Sequence, residues 1–193
     1  MANRNSAGFG LIAQGTLGST PATGGQGKYY IVAAYGTTLY NGTTVKQSAG
    51  YIITAQAAIT NTSIGVLNGV FYNAATTLKP TWSAHYTDVT PANSENTTAF
   101  VIDNPFQLYV TSFDTAIPIA NMGKTFGMST ITGSTLSGQS TNSMLLAGGH
   151  ATANTWRTVR IAEDPENQDI TAAQCSVVVV QNLNQYATGV TMA

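Results

Sequence analysis

The sequence predicts an all-β protein: an antiparallel β-sandwich, jelly-roll-like or barrel domain, with an extended Gly-rich N-terminal arm and little helix. Three observations carry this reading. Segments rich in Val, Ile, Thr and Tyr recur along the chain, and such residues favour a pleated sheet. Turn residues separate these segments at the spacing of a sandwich or barrel. Charged residues make up only 8% of the chain, against about 25% in ordinary soluble domains, so there is little from which to build solvated helix faces.

Residues 1–27 read as the arm. Glycines recur from Gly8 to Gly27, Pro21 lies among them, and Phe9, Leu11, Ile12 and Leu17 do not fall at helical spacing. Such an arm can add to a neighbour's sheet or lie on a partner's surface, anchored by its few apolar residues. Residues 28–193 read as a single β-rich domain. Tyr29–Ala33 is aromatic and β-branched, Asn41-Gly42 signals a tight turn, and Thr43–Lys46 resumes a strand. Gly50–Thr54 and Ile64–Tyr72 follow, the latter with glycines that suggest a bulge or a close backbone approach. Thr81–Tyr86, Thr98–Ile102, Phe106–Thr111 and Trp156–Ile161 are further strands, and Ser176–Gln181 closes the set. Helix is expected only over Ala116–Met122, with Pro118 in its first turn, and as a turn over Ile170–Cys175 capped by Asp169. Gly127–Gly149 reads as a long loop with one strand near Met144–Ala147.

Composition bounds the function. A chain of 193 residues fits one domain, or at most two small ones. Its single cysteine, Cys175, forms no intrachain disulfide and sits beside the Val177–Val180 run like a small buried residue. Net charge is −1 and the seven Lys and Arg are scattered, which argues against nucleic-acid binding by counterion release. No apolar run approaches the roughly 18 residues that span a bilayer, and no signal peptide is evident, so no membrane partner is expected.

The motifs that carry chemistry fail on inspection. Gly123-Lys124-Thr125 ends like a phosphate loop, but Pro118 stands where its first glycine belongs; Gly27-Lys28 is followed by Tyr29 rather than Ser or Thr. His85, His150 and Cys175 do not have metal-ligand spacing. Asp114-Thr115-Ala116 lacks the glycine of an aspartic-protease turn. The acidic run Glu163–Asp169 lacks EF-hand spacing and reads as a solvated turn that Arg157 and Arg160 could pair with. Three Asn-x-Ser/Thr sequons are expected by chance in so Asn- and Thr-rich a chain. The expectation is therefore a non-enzyme with no cofactor, no metal and no catalytic residue.

Several stretches, in order, resemble the capsid decoration (cement) proteins of tailed bacteriophages. These are Met1-Ala2-Asn3 with Phe9-Gly10-Leu11, then Gly18–Pro21 before Tyr29-Tyr30-Ile31, then Ile64–Val70. Val101–Phe106, Gly133–Gly138, Pro165-Glu166-Asn167 and the closing strand complete the order. Ala13 departs from the pattern, where a Pro is often found, as does Cys175–Val178, where relatives often carry an aromatic residue. The resemblance implies a virion protein, made in the host cytoplasm, that sits on the outer capsid surface. There it would cement neighbouring copies of the major capsid protein against internal pressure. Arg4, Phe9, Leu11 and Ile12 are the expected capsid or oligomer contacts. A nearly neutral chain also tends to self-associate, and closed symmetry suggests a homo-oligomer, a trimer first and a dimer second. Two other expectations stand beside this one: another virion component such as a tail, fibre or head–tail protein, and a carbohydrate-binding β-sandwich displaying Trp82, Tyr86 or Trp156.

Overall fold

Period-two alternation and β-branched runs become strands in the computed structural model, which describes residues 2–18, 25–56, 60–147 and 154–187. The described residues form two antiparallel sheets and no α-helix. Sheet I contains β1 (Ile12–Thr16), β8 (Gln107–Ser112), β12 (Ser176–Gln181), β11 (Trp156–Ile161), β9 (Thr125–Met128) and β10 (Met144–Leu145), in that spatial order. Sheet II runs β2 (Gly27–Ile31), β7 (Thr97–Ile102), β5 (Gly65–Asn73), β3 (Thr44–Ser48), β4 (Tyr51–Thr54). The nine-residue β5 holds β7 along one edge; β3 pairs with its beginning, and β6 (Pro80–Ser83) with its end.

Two apolar clusters hold this arrangement. The first fills the inner face of sheet I with Tyr109, Phe113, Phe126, Trp156, Val177 and Val179, and takes Val66 and Ile102 from sheet II. Phe113 and Phe126 meet edge to face with centroids 5.0 Å apart, as do Tyr109 and Trp156 at 5.3 Å. The second belongs to sheet II itself: Ile31, Val45, Ile52, Leu67, Val70, Ala99 and Val101, capped by Leu39 and Tyr86. Sheet II curls around it until β2 comes alongside β4. Val66 and Leu67, neighbours on β5, thus face different clusters, as strand alternation requires. Polar bonds tie the sheets at the seam: Trp156 Nε1 donates to Thr44 Oγ1 at 3.1 Å and the Tyr109 hydroxyl to the Ile102 carbonyl at 3.0 Å.

The Gly-rich arm over residues 1–27 is not confirmed. Residues 2–18 lie on the domain: β1 pairs antiparallel with β8, and Leu11 is buried in the first cluster. Leu11 has its apolar surface satisfied within the chain, which is what draws the segment down. Residues 19–24, with Pro21, lie outside the described residues. The helix expected over Ala116–Met122 is a single 3-10 turn, Ile119–Asn121, because Pro118 and Met122 on either side are both extended. After Asp169 the chain makes turns only; the Asp169 carboxylate caps the Thr171 amide at 2.9 Å, and Gln174 adopts φ 61°. The loop after β9 is pinned by Asn142, whose amide donates to the Ser129 and Thr130 carbonyls.

Candidate functional site

The four predicted contact residues divide. Arg4 is exposed and held by the acidic segment: its guanidinium meets both Glu166 oxygens at 2.7 Å, and its N–H donates to the Glu166 carbonyl at 3.1 Å. Asn3 donates to the Asp169 and Ala173 carbonyls at 2.9 Å and accepts from the Asp169 N–H at 3.0 Å. The Asn5 N–H donates to Asn167 Oδ1 at 2.7 Å. Residues 3–5 are thus strapped across the Glu163–Asp169 run. Arg157 instead donates to the Gly123 carbonyl and to Asn182.

Phe9, Leu11 and Ile12 come together around one cavity of about 340 Å³ between β1 and the start of β5. Val66, Leu67 and Ile102 complete its apolar wall, and Asn41, Asn68 and Gln139 its polar rim. No charged residue lines it. The rim amides are already engaged: Asn41 donates to the Asn68 carbonyl at 2.9 Å and Gln139 to the Phe9 carbonyl at 3.2 Å. Leu11 is part of the wall, 2% exposed, whereas Ile12 stands half open at 50%. Ala13 is at the mouth and exposed.

Along this cavity runs an edge strand. Among the described residues β1 has a strand on one side only, β8, with a bulge between Ala13 and Gly15. Sheet edges are commonly protected by charge, proline, shortness or cover. β6 follows Lys79 and opens on Pro80, β2 carries Lys28 and lies against β4, and β10 has only two residues. The β1 sequence Ile-Ala-Gln-Gly-Thr carries neither charge nor proline. Exposed Leu17 and Phe106 continue the apolar surface beyond it, the Leu17 N–H donating to the Phe106 carbonyl at 2.8 Å. An extended segment laid along β1 can pair its backbone with the strand and drop a side chain into the cavity. Sequence reasoning found Phe9, Leu11 and Ile12 but missed Val66, Ile102, Asn68 and Gln139, whose approach to β1 is a tertiary event. The bulge at Leu67–Gly69, which presents Asn68, was signalled by the glycines of that strand.

Burial and local hydrogen bonds account for the shifted titratable groups among the described residues. Burial, with Asp169 nearby, pushes the Cys175 thiol up to about 11. Burial, together with Asp103, likewise raises the Tyr29 and Tyr109 hydroxyls. Burial lowers His85, which stacks on Tyr40 with centroids 5.9 Å apart. Hydrogen bonds from the Thr171 hydroxyl and amide lower Asp169. No three His, Cys, Asp or Glu side chains converge among the described residues; His150 lies outside them. Lys124, in the partial phosphate loop, donates to Asn121 Oδ1 at 2.9 Å. Of the three aromatic residues named for carbohydrate binding, Tyr86 and Trp156 are fully buried and Trp82 is 60% exposed.

No family model, curated protein or solved structure matches the chain.

Proposed function

We propose that the protein is a non-catalytic virion component that binds the outer surface of an assembled phage capsid and cements neighbouring major capsid proteins. The observation that carries this is the edge of β1 over Ile12–Gly15, which among the described residues carries no charge or proline and has a strand on one side only, beside a cavity with no charged residue in its lining. An uncharged surface is buried against a partner without stranding ions, the costly part of desolvation. An open strand offers backbone donors and acceptors to an extended segment of the capsid subunit. The ordered likeness to decoration proteins supports the same reading, and closed symmetry, a trimer before a dimer, would multiply the contact around a capsid axis.

The test adds purified protein to capsids that lack it. Co-sedimentation together with raised resistance of the capsid to heat is the expected result. Absence of both overturns the reading. Copy number separates it from a tail, fibre or head–tail role, since those parts occur in few copies per particle.

A further inference from the structure

We propose that the outer face of sheet II carries a stacking platform for an uncharged saccharide chain, formed by Tyr30, Phe71 and Trp82. The three stand in one transverse row. Tyr30 pairs with Thr98, Thr98 with Phe71, and Phe71 with Trp82. Their strand neighbours Ile31, Ala99 and Val70 point into the second cluster, so the row points away from it. Tyr30 is 56% exposed, Phe71 39% and Trp82 60%.

The Trp82 indole is seated on a glycine. A Cβ placed on Gly69 would come 2.8 Å from Trp82 Cζ2 and 3.2 Å from Cε2. The ring therefore packs against the bare backbone of β5, where a Cβ would displace it, and it remains 60% exposed. With strands about 4.8 Å apart, Phe71 and Trp82 are one strand spacing from each other, and Tyr30 stands two spacings, about 10 Å, from Phe71. One strand spacing is comparable to the advance of one sugar ring along an extended β-linked chain, and two spacings to the advance of two rings.

The chemistry of the row selects the ligand. Aromatic faces are electron-rich, and the C–H face of a sugar ring is apolar with weakly positive hydrogens, so the two stack. The hydroxyls at the ring edge then meet Thr98 and water. Nucleic-acid platforms combine stacking with a positively charged groove; here Lys28, facing Phe100, is the single cation of the paired set. Protein partners bury aromatic anchors in pockets, whereas these three rings stand exposed on the outer face of a curled sheet. The proposal stands apart from capsid binding, which uses a different edge of the molecule.

The probes are cellohexaose and chitohexaose. The chain has two tryptophans and Trp156 is buried, so a saturable fluorescence change on titration reports Trp82. By calorimetry, Trp82→Ala and Tyr30→Ala should each weaken binding at least about tenfold, and Trp82→Phe should retain most of it. Thermal unfolding should stay cooperative and shift by only a few degrees, because Trp82 and Tyr30 are each more than half exposed. Neither hexasaccharide binding, or binding that survives Trp82→Ala, overturns the proposal. Equal affinity for an oligothymidylate overturns it in favour of nucleic acid. Lost capsid co-sedimentation in Trp82→Ala without saccharide binding by the native protein overturns it in favour of a capsid contact. A protein that binds saccharide but not capsids sinks only the cement reading.

Discussion

Gly65 shows how tightly single residues are fitted. A Cβ there would overlap the Ile102 carbonyl on the neighbouring strand, the same carbonyl that accepts the Tyr109 hydroxyl. Gly65→Ala must push β5 off β7, and overpacking of this kind costs about 1–3 kcal/mol. Urea unfolding should show that loss; stability equal to the native protein would mean the strands separate without strain. Cys175 makes the second residue-scale prediction. It is fully buried and its thiol is raised to about 11, so at pH 8 it holds almost no thiolate, the nucleophilic form. Ellman's reagent should label it only after denaturation, and rapid labelling of the folded protein would contradict the packing. The sequence placed this cysteine correctly, because it adjoins a run of four valines. It could not place Tyr86 and Trp156, whose hydroxyl and indole find partners only through tertiary contacts: Tyr86 accepts from the Tyr35 N–H, and Trp156 donates to Thr44.

At the scale of elements, β1 is the strand whose edge can be tested. Ala13→Lys places a charge at the cavity mouth and on the open edge, the device by which natural sheets refuse partners. Capsid occupancy should fall at least about tenfold, since the lysine would be desolvated without a counter-ion. The melting temperature should hold, because Ala13 is exposed. Undiminished occupancy would move the contact elsewhere. Alternation and β-branched runs made β5, β7, β8 and β11 legible, and the four consecutive valines made β12 so. Alternation could not show β9, a Thr-Phe-Gly-Met segment buried at all four positions, since strands buried on both faces lose their period. The expected helix failed for a readable reason: Pro118 ends in an extended conformation, φ −59° and ψ 141°, and only three residues follow before the chain extends again. The arm is not confirmed, for a different reason. Its glycines suggested freedom, yet Gly8 packs where any Cβ would overlap the Asn142 carbonyl, and Gly10 takes φ 73° against Ser140. There glycine marks close approach rather than slack.

For the whole molecule, scarcity of charge is the dominant property. With net charge −1 and no charged residue lining the cavity, the proposed capsid binding should depend weakly on salt. Raising ionic strength from about 0.1 to 1 M shortens the screening length from about 10 to 3 Å, and the affinity should change by less than about threefold. A steep decline would reveal ion pairs at the interface. The all-β character was readable from composition and turn spacing. The presence of two apolar clusters was not, because it follows from the curling of sheet II, and periodicity reports only which residues alternate.

The place of β12 between β8 and β11 also sets an order of assembly. Sheet II draws all its strands from residues 27–102, so a nascent chain can complete it early, as N-terminal units do. Sheet I cannot follow suit. Its centre is filled by the last of its strands to be synthesised, and until Ser176–Gln181 arrives, β1 with β8 and β9 with β11 remain two unjoined ribbons. Contacts so distant in sequence close slowly. The central seam of sheet I is therefore a late checkpoint, and the surface beside β1 becomes rigid only once the chain has been made through Gln181.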